Sequence, residues 1–160
     1  MIPLLARFRV LQLMVLMVGI VAPMSHAELP TKKYLNLTAI KTMVAGAEVE
    51  AQRQHVEVTI CIVDESGNLL FLQKADAASM NTIVWAQKKA RHAAFYRSPT
   101  KDAADTLKKG NLDVLAFPDQ GGLPILVEGQ VLEGIAASGA KSEIDEAVAQ
   151  AGLDALLGKK

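Results

Sequence analysis

Trp85, Lys89, His92 and Tyr96 fall within about 60° of one another when residues are set about 100° apart around a helix. This is the chain's richest grouping of reactive and aromatic side chains. An imidazole beside flat rings, with Lys89 and Arg91 near to neutralise carboxylates, meets the needs of a planar anionic tetrapyrrole. His92 would then be the axial ligand to its metal. The same stripe also reads as an amphipathic contact between subunits, with Trp and Tyr at the seam.

Other candidates are weaker. His55 stands where the first helix meets the first strand, a place that suits a cationic side chain as a helix terminator. It is also a second candidate metal ligand, with Asp64 or Glu57 as partners. Cys61 alternates with Ile60 and Ile62 and reads as a small core residue. Gly121 and Gly122 open a loop in which backbone N–H groups can approach an anion or a cofactor, although a plain turn explains them equally well. The run from Gly134 to Ser142 imitates a phosphate loop, but Ala140 separates its second glycine from Lys141, so nucleoside triphosphate binding is rejected. Asp64, Glu65 and Asp76 offer carboxylates without a Ser-His-Asp arrangement, and no catalytic residue is assigned.

These residues need elements to position them. Leu37, Ile40, Val44, Ala47 and Ala51 recur at helical spacing, with Asn36 or Thr38 as N-cap, which predicts a first helix ending near Gln54. Val56 to Val63 is nearly all β-forming with no polar alternate, as in a strand covered on both faces. A polar turn at Asp64 to Asn68 returns the chain into a second strand, Leu69 to Gln73. Ser79 to Tyr96 is the helix of the stripe, its Ala86, Ala90 and Ala94 forming a small face roughly 120° away. A short helix from Thr100 to Lys109 stops at Gly110. Val114 to Phe117 reads as a short strand, Pro124 to Val127 and Gln130 to Ala137 as a hairpin, and Ser142 to Asp145 as the capping box of a last helix closed by Gly158. Strands joined by short turns pair antiparallel, so the fold class is α+β, a sheet of four or five strands flanked by helices. If the helices cover one face only, the doubly apolar strand needs a subunit partner, which predicts a homo-oligomer.

Export explains much of the apolar composition. Residues 1–27 carry Arg7 and Arg9, no acid, four of the six methionines, and the apolar run Val10 to Val21 broken only by Gln12 and Gly19. That run is too short to span a bilayer as a helix of roughly 20 residues. With small residues at Ser25 and Ala27 it predicts a signal peptide cleaved after Ala27, then a lead-in at 28–35 and one domain at 36–160. Arg7 and Arg9 are separated by Phe8, so general secretion is the expected route, to the periplasm or the medium. The mature chain of 133 residues has 15 basic and 17 acidic side chains, net −2. Bulk charge therefore disfavours nucleic acid, and a chain without its leader is not membrane-spanning. One cysteine excludes a disulfide framework, a Cys-rich zinc site and C-x-x-C-H haem attachment.

Several blocks taken together resemble one family. Val58 to Gly67, Lys89 to Phe95 with Ser98-Pro99-Thr100, Gly121 to Ile125, and Ser138-Gly139-Ala140 followed by Asp145-Glu146 stand in the order found in the GlcG/HbpS family of haem-binding proteins, which includes the C-terminal domain of PduO-type proteins. The resemblance covers essentially the whole mature chain. It implies a profilin-like or PAS-like sandwich, higher homo-oligomers, and non-covalent binding of haem b for haem or iron buffering, transfer or redox sensing. Where the family usually reads Lys-Ala-x-Thr-Ala, with the threonine beside the haem, this chain has His92, a stronger iron ligand. Its usual arginine after the second strand is replaced around Gln73 and Lys74, and expected glycines are Glu133 and Ala136. With the resemblance, His92 becomes the expected ligand, Trp85, Lys89 and Tyr96 its neighbours, and Gly121 and Gly122 the approaching loop. The alternatives are a haem-dependent or haem-degrading enzyme of the same fold, and a cofactor-free accessory protein that binds periplasmic or membrane partners.

Overall fold

The computed structural model describes residues 28–29, 31–110 and 117–159. The chain divides into two compact units, Met1–Lys32 and Lys33–Lys160, and the second carries everything below. The expected signal peptide, and all but Phe117 of the expected strand Val114 to Phe117, lie outside the described residues.

The unit is α+β. Its elements run α1 (Leu37–Arg53), β1 (Thr59–Asp64), β2 (Leu69–Lys74), α2 (Thr82–Tyr96), α3 (Thr100–Lys108), β3 (Gly122–Val127), β4 (Gln130–Ser138) and α4 (Ser142–Leu157). Four strands form one sheet in the order β2-β1-β4-β3, every neighbouring pair antiparallel. The turn into β2 is held by Asp64, whose Oδ1 accepts from Ser66 N–H at 2.9 Å and Asn68 N–H at 2.8 Å. That geometry is an Asx turn, which is why an acid stands there.

Alternation along β1 divides the core. Ile60 and Ile62 point to one face, where with Ile135, Leu123 and Ile125 they pack under α1 and α4. Cys61 and Val63 point to the other, against Ala86, Ala90 and Ala94 of α2. Helices of this same chain therefore cover both faces, and the expected need for a subunit against β1 falls away. The period-2 side-chain alternation of a strand is invisible when both faces are apolar, so the sequence left that choice open.

Two local expectations differ. Ser142 does not cap α4: Lys141 is the N-cap residue, with no side-chain cap bond, and Ser142 Oγ donates to Asp119 Oδ1 at 3.1 Å. Asp145 does reach back as a capping-box acid would, accepting from Ala140 N–H at 2.9 Å. At the end of α1, His55 takes a left-handed φ of 55°. Val56 N–H bonds Ala51 C=O at 3.0 Å and His55 N–H bonds Gln52 C=O at 3.1 Å, a Schellman motif in which histidine occupies the usual glycine position.

Candidate functional site

The site is built on α2, and its placement begins with small residues. Ala86, Ala90 and Ala94 are buried against the sheet. A Cβ built on Gly134 would lie 2.2 Å from the Ala90 carbonyl oxygen, so only glycine in β4 permits the helix to come this close. That close approach turns the flank of α2 inward and leaves the opposite flank at the surface.

The sequence-derived stripe divides along this line. Trp85 is 44% exposed and Tyr96 37%, while His92 is 4% exposed and Lys89 1%. His92 and Tyr96 stack one turn apart, with ring centroids 4.5 Å apart and planes 16° from parallel. Phe117 joins the two ends. Its ring meets Trp85 edge-on at 5.8 Å, Lys88 lies 5.5 Å above it, and its N–H donates to His92 Nδ1 at 3.0 Å.

Lys89 turns away from this surface. Its Nζ donates to Asp145 Oδ2 at 2.9 Å and to Ala137 C=O at 3.4 Å, and pairs with Asp119 Oδ2 at 3.0 Å. An ammonium has three N–H donors, and all three have acceptors. The expectation that Lys89 neutralises a ligand carboxylate is therefore corrected, because two protein carboxylates already do so. Burial pushes the Asp145 carboxyl above the ordinary carboxylate range, while the Lys89 ammonium and the Ala140 and Gly139 N–H groups pull it back.

Gly121 and Gly122 also serve the packing. A Cβ on Gly121, whose φ is 126°, would stand 2.8 Å from Asp145 Cβ, and one on Gly122 would stand 2.5 Å from the Lys89 carbonyl oxygen. Gly122 N–H donates to Thr100 Oγ1 at 3.0 Å. The pair lets β3 close on α2 around the Lys89 charge, which corrects the expected cofactor-facing loop. His55 is exposed and precedes the Thr59 end of β1, where Thr59 meets Thr82 at the start of α2. His92 lies ten residues further along α2, roughly 15 Å at 1.5 Å per residue. The two histidines are thus not brought together, and no group of three His, Cys, Asp or Glu side chains suited to a metal occurs among the described residues.

A family model described as "Haem degrading protein HbpS-like" matches residues 35–154. The chain belongs to the HbpS-like family. It is 30% identical to Protein GlcG of Escherichia coli strain K12 over 112 residues, spanning 68% of this chain and 84% of the relative. The crystal structure of HbpS superposes with a TM-score of 0.75 and 28% identity, covering 83% of this chain and 96% of that one. That of the PduOC:heme complex does so with a TM-score of 0.72 over 77% and 95%; at 23% identity this is a likeness of fold.

The family description implies haem, and the residues of this HbpS-like chain fit it in part. The exposed rings of Trp85 and Tyr96 give the flat apolar surface that a tetrapyrrole stacks on. His92 fits less well as an axial ligand. Because Nδ1 accepts from Phe117, the proton of neutral His92 is assigned to Nε2, and no free lone pair is left for iron. The sequence reading missed Asp119, Asp145 and Phe117 as partners of the stripe. Their only local signals were a turn and a helix start, since Asp145 stands 56 residues from Lys89.

Proposed function

We propose that this HbpS-like protein is exported, assembles as a homo-oligomer and binds haem b non-covalently against the outer flank of α2, for haem or iron buffering, transfer or redox sensing. The observation that carries this reading is the stacked His92–Tyr96 pair lying on the same flank of α2 as half-exposed Trp85. Trp85, Phe95 and Tyr96 put three exposed rings on this one helix. The family description and the PduOC:heme complex of the same fold support haem as the ligand. Exposed Val84 and Phe95 on the same helix support a subunit contact there. The leader-like residues 1–27 support export.

In this reading Trp85 and Tyr96 stack on the macrocycle, and the exposed Lys88, which lies over the Phe117 ring, is the cation on this flank that can meet its carboxylates, whereas Arg91 Nε donates to Gly67 C=O at 2.9 Å on the other side of the helix. His92 holds Tyr96 and the Phe117 backbone in place. When bound, haem would supply the iron-centred redox chemistry. Haemin titration of the purified protein should give a saturable, shifted Soret band, with affinity reduced about tenfold in Trp85→Ala and Tyr96→Ala, the loss expected when a stacking ring is removed. The band should survive in His92→Ala. Disappearance of the shift in that variant would show that imidazole reaches iron after the Phe117 bond opens, and an unchanged free-haemin spectrum would sink the reading.

The family description also names degradation, which favours a haem-degrading enzyme as the second reading. Incubating the complex with peroxide or a reductant separates them. A persistent Soret band is expected of a binding protein, and bleaching with release of iron marks turnover.

A further inference from the structure

A cleft of about 290 Å³ opens between the start of α2 and the start of α4, lined among others by Asn81, Trp85, Asp119, Ser138, Ser142 and Asp145. It lies behind Trp85, on the side of the buried Lys89 cluster. The haem reading does not use its polar groups. We propose that this cleft binds a small neutral polyhydroxyl compound, a polyol or a single sugar ring, through polar groups that the haem reading leaves unused.

The argument starts from charge. Two carboxylates, Asp119 and Asp145, are opposed by the Lys89 ammonium at 3.0 and 2.9 Å. The N-terminal ends of α4 and of α2 both open on the cleft, and each contributes the equivalent of about half a positive charge. Asp145 accepts from Ala140 N–H and Asp119 from Ser142 Oγ–H. The two carboxylates are thus about balanced by the ammonium and the two helix ends, so neither an anion nor a cation is rewarded over a neutral ligand.

The hydrogen-bonding groups point the same way. Every carboxylate oxygen here already accepts a bond from the protein, which fixes its direction, and the two oxygens of the less buried Asp119 each keep a second lone pair. These are preorganised acceptors for O–H groups. Asn81 stands at the N-cap of α2 but makes no side-chain cap bond. Ser138 ends β4 on the α2 side and lines the cleft while almost wholly buried. An amide and hydroxyls, each able to donate or accept, thus face fixed acceptors across a cleft with one aromatic wall. A molecule with several hydroxyls and a C–H face satisfies both. The volume falls at the lower edge of the roughly 300–1,000 Å³ of ordinary ligand pockets, which limits the occupant to a few carbons.

Trp85 is the chain's single tryptophan, so its emission reports on this wall alone. Haem-free protein would be titrated with D-glucose and with glycerol, and in parallel with choline chloride and sodium phosphate at matched ionic strength. The expected result is a saturable emission change with D-glucose or glycerol and none with the two salts. Asn81→Ala and Ser138→Ala should each raise the half-saturating concentration about fivefold, the effect of one lost hydrogen bond, while leaving haemin affinity unchanged. Asn81 is exposed, so its variant does not threaten folding. A merely linear response, saturation by choline or phosphate instead, or variants that titrate like the parent would each overturn the proposal. Failure of haemin to bind would leave it standing.

Discussion

Burying Lys89 takes an ammonium out of water, and it is tolerated because Asp119, Asp145 and the Ala137 carbonyl accept all of its donors. The charge thereby becomes a clamp between α2, β4 and the start of α4. Cys61 shows the opposite outcome for a buried polar group. It has no charge to keep, and burial pushes its thiol up to about 12. A thiol whose folded value lies above its unfolded value adds stability at low pH and loses it as pH rises past the ordinary range near 8.5. Two outcomes follow: Cys61 should resist alkylation at pH 8 until denaturant is added, and the unfolding free energy read from urea titrations should fall as pH is raised from 8 toward 10, by up to about 1.4 kcal/mol per pH unit. Fast labelling of the native protein would contradict the burial. Cys61→Ala should abolish that part of the pH dependence.

At the scale of elements, the contact of α2 with the sheet rests on one missing side chain. Gly134→Ala would place a methyl 2.2 Å from the Ala90 carbonyl oxygen, and neither backbone can yield without separating helix and sheet. The expected cost is about 3 kcal/mol, at the upper end for overpacking, read as a lowered melting temperature with weakened haemin binding. A wild-type melting curve would mean that α2 sits further from β4. The elements themselves were legible. Leu37 to Arg53 shows a 3.6 period that survives burial on one side, and Asp64 to Asn68 carries its own turn chemistry. The start of α4 was not legible in detail, because Ser142 bonds to Asp119, a residue in a different loop, instead of to its own helix.

For the whole molecule, two helical layers on a four-stranded sheet remove the first reason for expecting an oligomer and leave a different one. The strand β1 is satisfied within one chain, so a subunit contact has to be sought among exposed apolar residues, which on α2 and β2 include Val84, Phe95, Leu69 and Leu70. If residues 1–27 are a leader, mass spectrometry of protein recovered outside the cytoplasm should find Glu28 at the N-terminus. Recovery of the intact chain from the cytoplasm alone would contradict it.

The sequence by itself determined what is periodic or local: the helices and hairpins, the α+β class, the family, and the flank of α2 that carries Trp85, His92 and Tyr96. Helical and strand periods are set by backbone geometry, which neighbouring residues reveal. Only the tertiary structure decided which members of that stripe face solvent. Lys89 lies within 60° of Tyr96 around the helix, yet one is buried and the other exposed. The difference arises because Gly134, Asp119 and Asp145, distant in sequence, draw one edge of α2 into the core. A hydrogen bond from Phe117, likewise remote, assigned the proton of His92.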